Sequence, residues 1–490
     1  MKRVFLLGCL PCMAILGFAI AAGAQQNQPV PANKPVCQEC IRIRIGLPRV
    51  VRGPSGIASD STFTEVPLAN GKFRGFTGTA MSAAIDGNAP WDMSAPGVTV
   101  LKAGPAGSSD SCGQWLQHVE KAGNQLLGWV HNETACNYNI GQTHMSMVLA
   151  TSSDYGLTWN TLGKIIGPMA TDLPSTGVMS GDTCLSAIRG NDGYYYCYGL
   201  RARKHQMFVA RAPVSDPSPG NWKKYFNGDW SQPGVGGDAT LLGNNIRPAY
   251  WSAKDMEVGV DWNAKGITLA FSTDRLHFTD LPQPILVLDA GSWNRKADSA
   301  ELLAYETLID AKTGENQLGD HWLMAYMYLQ PGEGFDKRYL VFRPVDVTFG
   351  RRPDEPQSAV ALARWYNAKL HDRWSTVAPV PGNYADYQLE TVSGYLLTTA
   401  DPNRATVELE DCVAHWAGHP DHLLSEKGFC ETHGFQRLRT AGWVYTQPQP
   451  DTVPLYLCHN TADQFHFASN DTQCEKLGTP EKLLGYALKQ

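Results

Sequence analysis

The segment VLATSSDYGLTW, residues 148–159, is an apolar run that ends in a turn and an aromatic. The same design returns as FVARAPVSDPSPGNW at 208–222 and LAFSTDRLHF at 269–278, with a fainter copy, VFRPVDVTF, at 341–349. Anchored on Ala150, Ala210 and Ala270, successive copies lie 60 residues apart. From about 61 to 350 short alternating apolar runs are broken by Gly, Asn, Asp and Pro, with no 3.6-residue pattern, so they read as strands. Repeats of this length, each holding several strands, indicate a β-propeller. Residues 152–159 fit the Asp-box S-x-D-x-G-x-T-W, in which Asp154 caps the turn, Gly156 takes an unusual backbone angle and Trp159 packs between blades. We expect five blades, at 73–103, 110–166, 182–227, 238–286 and 302–350.

Outward from this region, residues 357–490 hold a different repeat. Asp372, Asp421 and Asp463 are each followed 21 or 22 residues later by Gly-aromatic, at Gly394-Tyr395, Gly442-Trp443 and Gly485-Tyr486. Three units of about 45 residues suggest a compact, threefold, trefoil-like β domain. Units this small bury little core, so disulfides are expected at Cys412 with Cys430 and Cys458 with Cys474. Residues 351–356 join the two parts. The whole is an all-β protein.

At the other end, Lys2 and Arg3 precede an apolar run, Val4 to Ile20, and Ala22-Gly23-Ala24. These are the three parts of a secretory signal peptide, 1–24, cleaved after Ala24. Acylation at Cys9 fits less well, because the apolar run before it is short, and Pro11 interrupts any membrane span. The mature chain is expected to be soluble and exported, without an integral membrane anchor. Loss of Cys9 and Cys12 leaves ten cysteines, an even number that points to disulfides in an oxidising compartment. Residues 25–60 read as a linker and arm, within which Cys37 and Cys40 (CQEC) form a local disulfide rather than half a metal site. Net charge is −6 with no basic block, which excludes nucleic acid as the partner. The 14 Trp and 19 Tyr serve sheet packing or act as platforms for sugar rings.

The candidate chemistry lies at the blade openings. Asp110-Ser-Cys112 and Asp182-Thr-Cys184 each open a hairpin whose partner strand returns to a second cysteine. The turn at 122–124 sets Cys112 opposite Cys136, and the turn at 191–192 sets Cys184 opposite Cys197. Side-chain alternation puts each Asp on the face of its cysteine. Glu133, three residues before Cys136, falls close to Asp110, while Asp238 and Glu306 open the fourth and fifth blades. Several carboxyl groups facing one channel are what glycoside hydrolysis needs, one as acid and one as base or nucleophile. The competing reading is that they cap turns, as many Asp residues in β proteins do. His131 and His144 flank the same cavity and are assigned to hydrogen bonding with sugar or carboxylate rather than to a metal, and Trp115 to substrate contact. No cofactor is required, and a structural calcium ion is compatible with such a channel.

At these residues the chain resembles the five-bladed-propeller glycoside hydrolases, the group of arabinanases, arabinofuranosidases and invertase-like enzymes. The matching strings are SSDSCGQW, LLGWVHNETACNY, THMSMVLATSSDYGLTW, ARAPVSDPSPGNWKKYFNGDWSQPGVGG and RYLVFRPV. The resemblance implies a catalytic base, an assisting Asp and an acid Glu, carried by position to Asp110, Asp182 and Glu133. The first blade departs from the group's pattern, Asp86 and Asp92 being its only acidic candidates. The tail, in CVAHWAGHPDHLLS and LYLCHNTADQFHFASNDTQCEKLGTPEKLLGYAL, resembles a secreted bacterial repeat often appended to hydrolases. That implies an accessory sugar-binding role, with Trp365, Trp416 and Trp443 as platforms or as core.

The expected function is therefore a secreted glycoside hydrolase acting on a polysaccharide, one with furanose sugars, by an inverting mechanism. A non-catalytic glycan-binding lectin is the alternative. A sialidase ranks third, because Arg189, Arg201, Arg203 and Arg247 show no spacing that gathers three of them.

Overall fold

The computed structural model describes residues 32, 34–55, 59–169, 171–172, 174–243, 245–263, 266–289, 300–380, 386–416 and 418–490. The leader expected at 1–24 lies outside them. Among the described residues, no helix is long and apolar enough to cross a membrane.

The repeats fold as a five-bladed propeller. Blade I is an antiparallel sheet of Thr64–Pro67, Phe73–Thr79, Met81–Gly87 and Val98–Leu101. Blade II runs from Gly113–Ala122 to Asn160–Ile166, blade III from Met179–Arg189 to Asp229–Pro233, and blade IV from Arg247–Trp251 to Leu286–Val287. Blade V holds Leu302–Asp310, Trp322–Leu329 and Tyr339–Phe349. Blade I thus begins nine residues before the expected position, at 64 rather than 73. This matters because it moves Ser59 and Asp60, just ahead of the first strand, out of the linker and into the propeller.

The arm is not a loose connection. Arg49–Arg52 and Ile41–Ile45 both pair antiparallel with Tyr339–Phe349, so the start of the chain supplies the outer strands of the last blade. Ile41, Ile43 and Ile45 alternate inward and are fully buried, which gives this closure an apolar driving force. Ile43–Ile45 also pairs in parallel with Ser358–Val360, so the blade V sheet continues into the C-terminal repeats.

Each C-terminal repeat contributes three strands. The first strand pairs with the second as a hairpin and with the third on its other edge: Ser358–Asn367 with Asp372–Thr376 and Tyr387–Leu397, then Thr406–Trp416 with His419–Glu426 and Gln436–Tyr445, then Thr452–Asn460 with Phe465–Ser469 and Thr479–Leu488. The glycines of the Gly-aromatic signature, Gly394, Gly442 and Gly485, sit at a slip of register with φ of 123°, 146° and 142°. Their missing Cβ lets a neighbouring third strand approach closely.

All ten cysteines among the described residues are paired, as Cys37–Cys40, Cys112–Cys136, Cys184–Cys197, Cys412–Cys430 and Cys458–Cys474. These are the pairs that spacing and hairpin register suggested. Five disulfides fit an oxidising, extracytoplasmic compartment.

Candidate active site

Blade hairpins are locked by the turn chemistry read from the sequence. Asp154 accepts from the Leu157 and Thr158 backbones and from the Thr158 hydroxyl, and the Trp159 indole donates to Gly156. Trp159 packs edge-on against Phe76 of blade I. Asp274 does the same capping at the blade IV hairpin.

With the blades fixed this way, their openings converge at one end of the channel. Asp60, just ahead of the first strand of blade I, accepts a hydrogen bond from the Tyr305 hydroxyl at 2.9 Å and lies 3.3 Å from the Arg338 guanidinium. Trp115 donates to the same carboxylate. The Trp115 ring lies 5.4 Å from that of His131, whose Nε2 is 3.0 Å from Glu133 Oε1. Glu133 also accepts from Tyr138 at 2.5 Å and from Thr143 at 3.0 Å. His131 is held from its other side by Thr183 of blade III, 2.6 Å away. Asp60, Trp115, His131 and Glu133 thus form one connected wall drawn from two blades.

The two carboxyls differ electrostatically. Burial pushes Asp60 above its ordinary range, Arg338 and Tyr305 oppose this, and the charge of Glu133 pushes it up further. Burial also acts upward on Glu133, but hydrogen bonding and charge from His131, with Tyr138 and Thr143, outweigh it and hold that carboxyl below its ordinary value.

Beyond Tyr305 a cavity of about 250 Å³ opens between blades III, IV and V, lined by His205, Asn245, Arg247, Asp261, Trp262, Tyr305 and Glu306. A register slip in Leu302–Asp310 and a φ of 59° at Tyr305 allow both Tyr305 and Glu306 to line it. Glu306 is fully buried, accepts from the Trp262 indole at 2.7 Å, and lies 3.7 Å from Arg247. Burial holds its carboxyl above the ordinary value, Arg247 opposing.

The other expected residues are engaged elsewhere. Asp110 sits in the turn before blade II, where its carboxylate accepts from Ser108 and Gln114. Asp182 is clamped by Arg201 at 2.9 and 3.0 Å and by the buried Lys224 at 2.7 Å. Burial would raise its carboxyl, but those two cations hold it down, as in a structural ion pair. His144 is the cross-strand partner of Thr134, so alternation turns it away from Glu133 and onto Ser180, 2.7 Å distant. Asp238 is exposed outside the cavity. In blade I, Asp86 pairs with Arg74 and Asp92 caps a turn at Asn88 and Ser94. Neither reaches the channel. The acid that does is Asp60, missed because it precedes a strand outside the repeat pattern. Among the four C-terminal tryptophans, Trp365, Trp374, Trp416 and Trp443, only Trp416 is largely exposed, at 52%.

No protein-family model matches the chain, and no curated protein matches it. Among solved structures, the catalytic domain of a Coprinopsis cinerea GH62 α-L-arabinofuranosidase aligns with 63% of this chain and 98% of its own, at 11% identity and a TM-score of 0.41. An α-L-arabinofuranosidase from Podospora anserina aligns with 64% of this chain and 99% of its own, at 11% identity and a TM-score of 0.41. For an endo-arabinase from Bacteroides thetaiotaomicron the values are 62%, 100%, 12% and 0.37.

Proposed function

We propose that the protein is an exported glycoside hydrolase that cleaves a polysaccharide containing furanose sugars, with Asp60 and Glu133 as its two working carboxyls. One observation carries this reading: two carboxyl groups, the part-buried Asp60 at the start of blade I and the buried Glu133 on the adjacent blade II, joined through Trp115 and His131, with environments that push their proton affinities apart. Glycosidic cleavage needs that division. One carboxylic acid protonates the leaving oxygen while one carboxylate activates water or attacks carbon.

The environments favour Asp60 as the proton-holding member and Glu133 as the ionised one. The family resemblance implies the opposite order, a base Asp and an acid Glu. Aryl glycosides with good leaving groups separate the two, because a variant lacking the acid still turns them over and a variant lacking the base does not. Asp182, clamped by Arg201 and Lys224, supports the wall through its neighbour Thr183.

The test is reducing-sugar release from arabinans, arabinogalactans, fructans and xylans by the mature protein, Asp60→Asn and Glu133→Gln. Activity on one substrate that both variants lose while folded supports the proposal. Activity that survives both changes defeats it, and glycan binding without any release favours the lectin.

The 2.5 Å contact between Tyr138 and Glu133 favours a second reading, in which Tyr138 is the nucleophile and Glu133 its base, as in sialidases. Under that reading Tyr138→Phe abolishes turnover as fully as Glu133→Gln. Under the first reading it lowers turnover far less.

A further inference from the structure

Far along the chain from these carboxyls, the third C-terminal repeat brings two imidazoles and a carboxylate together. His459 and His466 are direct cross-strand partners. The third strand of the repeat delivers Glu481 beside them, at the point where its register slips by one residue. One ligand atom from each group lies within 4.8 Å of the others. Glu481 spans both rings, its Oε1 3.4 Å from His459 Nδ1 and its Oε2 3.5 Å from His466 Nε2.

The second nitrogen of His466 is already committed. Its Nδ1 lies 2.9 Å from Asp421 of the preceding repeat, and its backbone N–H donates to the same carboxylate. With Asp421 accepting the Nδ1 proton, the Nε2 lone pair is turned toward Glu481 and His459. This is the tautomer a metal ligand needs, held by the outer carboxylate that such ligands usually have.

Comparison of the three repeats separates this cluster from ordinary packing. Strand register and the signature glycines align His459, His466 and Glu481 with Val413, His422 and Leu438 in the second repeat. In the first repeat the same positions are Tyr366, Arg373 and Glu390, and Glu390 is tied to Arg364 and Arg373. The fold is built twice without the set, so it is not a requirement of the repeat. The side chains are 23%, 17% and 41% exposed, open enough for an ion to enter. The other two clusters of potential ligands among the described residues use cysteines committed to disulfides.

We propose that His459, His466 and Glu481 form a binding site for a zinc-like divalent transition-metal ion, with Asp421 orienting His466. Two imidazoles and one carboxylate suit zinc, copper, nickel or cobalt rather than calcium or magnesium. Loading tilts His459, the more exposed ring, off its 4.4 Å stack on His466 so that both lone pairs meet the ion. A fourth position remains for water or a further ligand. The carboxylates of Asp421 and Glu481, both within 3.5 Å of His466, supply the negative charge that attracts a divalent cation to this edge. The ion would join all three strands of the repeat along one edge.

The test uses the untagged mature protein, stripped with chelator, and measures zinc uptake by equilibrium dialysis and Co(II) uptake by visible absorption. Glu481→Gln and His459→Ala replace exposed side chains, and their melting curves without metal show that they fold. His433→Ala serves as control. One zinc per chain is expected for the mature protein and the control, with binding weakened at least about tenfold in the two variants. No uptake at micromolar zinc overturns the site. Equal affinity in all four proteins overturns it as well.

Discussion

At the axis of the C-terminal repeats Asp372 is fully buried, and it accepts hydrogen bonds from the backbone and ring of His422 and from Tyr387. At the end of the propeller channel Asp60 keeps 23% of its side chain exposed and faces a second carboxyl across Trp115 and His131. Both acids sit where repeats converge. The repeats of the tail close on their centre, with the Trp374 ring stacked on His422 and donating to Asp411. The blades leave cavities, one of about 250 Å³ beside Tyr305 and one of about 380 Å³ around Glu120, Arg189 and Glu315. An acid saturated by internal donors holds structure, whereas an acid left beside another acid and an open cavity is where chemistry can occur.

Exchanging the two kinds of acid for their amides is the strongest way to break this comparison. Asp60→Asn and Glu133→Gln should each lower kcat by about 10²- to 10⁴-fold on the substrate that the polysaccharide panel identifies. Their melting temperatures should stay near that of the parent. Asp372→Asn should do the reverse, costing about 1–3 kcal/mol of stability in denaturant titrations while kcat per folded molecule is kept. A loss of turnover in Asp372→Asn matching that of Asp60→Asn would end the distinction.

The seam between the two regions comes next in size. Arg439 of the second repeat is buried between Asp411, 2.7 Å away, and Glu301 at the start of blade V, 3.2 Å away. Arg439→Met strands both carboxylates without a cation and should cost about 3–5 kcal/mol. Unfolding monitored by tryptophan fluorescence should become two separated transitions if this ion network couples the regions. A single transition displaced to lower denaturant would mean that the continuous sheet through Ile41–Ile45 couples them instead.

Two disulfides sharpen the contrast further. Cys112–Cys136 closes a 24-residue separation beside Glu133, and Cys412–Cys430 closes one of 18 residues far from the channel. Replacing either pair by serine should cost about 3 kcal/mol, since loop lengths are similar. Only the first replacement should also reduce turnover, because the backbone amide of Cys112 donates to the Glu133 carbonyl and that strand end positions the carboxyl. Equal activity of the two serine variants would show that the propeller holds Glu133 without the crosslink.

Which parts of this were legible in the sequence follows from the range of the interactions. Hairpin register, turn capping and the five disulfides depend on residues close in sequence, and period-two alternation is enough to pair Cys112 with Cys136 and Cys184 with Cys197. The threefold glycine signature was visible because each copy meets the same close approach of strands. Asp60 was not, because Ser59 to Phe63 precede a four-residue strand that carries no copy of the repeat. The true state of Asp182 was hidden for another reason. Arg201, 19 residues away, is its direct hairpin partner, but the buried Lys224 that completes the clamp lies 42 residues away on an outer strand of blade III, beyond the reach of hairpin register. His144 went wrong at short range, since its own alternation, counted from the Thr134 pairing, faces it away from Glu133.

The smallest effect concerns an acid that belongs to neither class. Glu65, inside blade I, is 1% exposed, and neither carboxylate oxygen has a hydrogen-bond partner among the described residues. One oxygen packs where Gly314 of blade V leaves room, so any side chain there would clash with it. Burial pushes this carboxyl well above its ordinary 4.5, so the native state keeps the proton when the unfolded chain has lost it. The native state then binds more protons, and stability falls as pH rises above 4.5, by about 1.4 kcal/mol per pH unit while that difference lasts. Glu65→Gln keeps the shape and removes the titration. Its stability should equal that of the parent near pH 4 and exceed it increasingly toward neutral pH. Parallel pH profiles for the two proteins would mean that Glu65 is ionised in the fold, with a cation or water at Gly314 compensating it. It would then join the channel acids as a ligand-facing group.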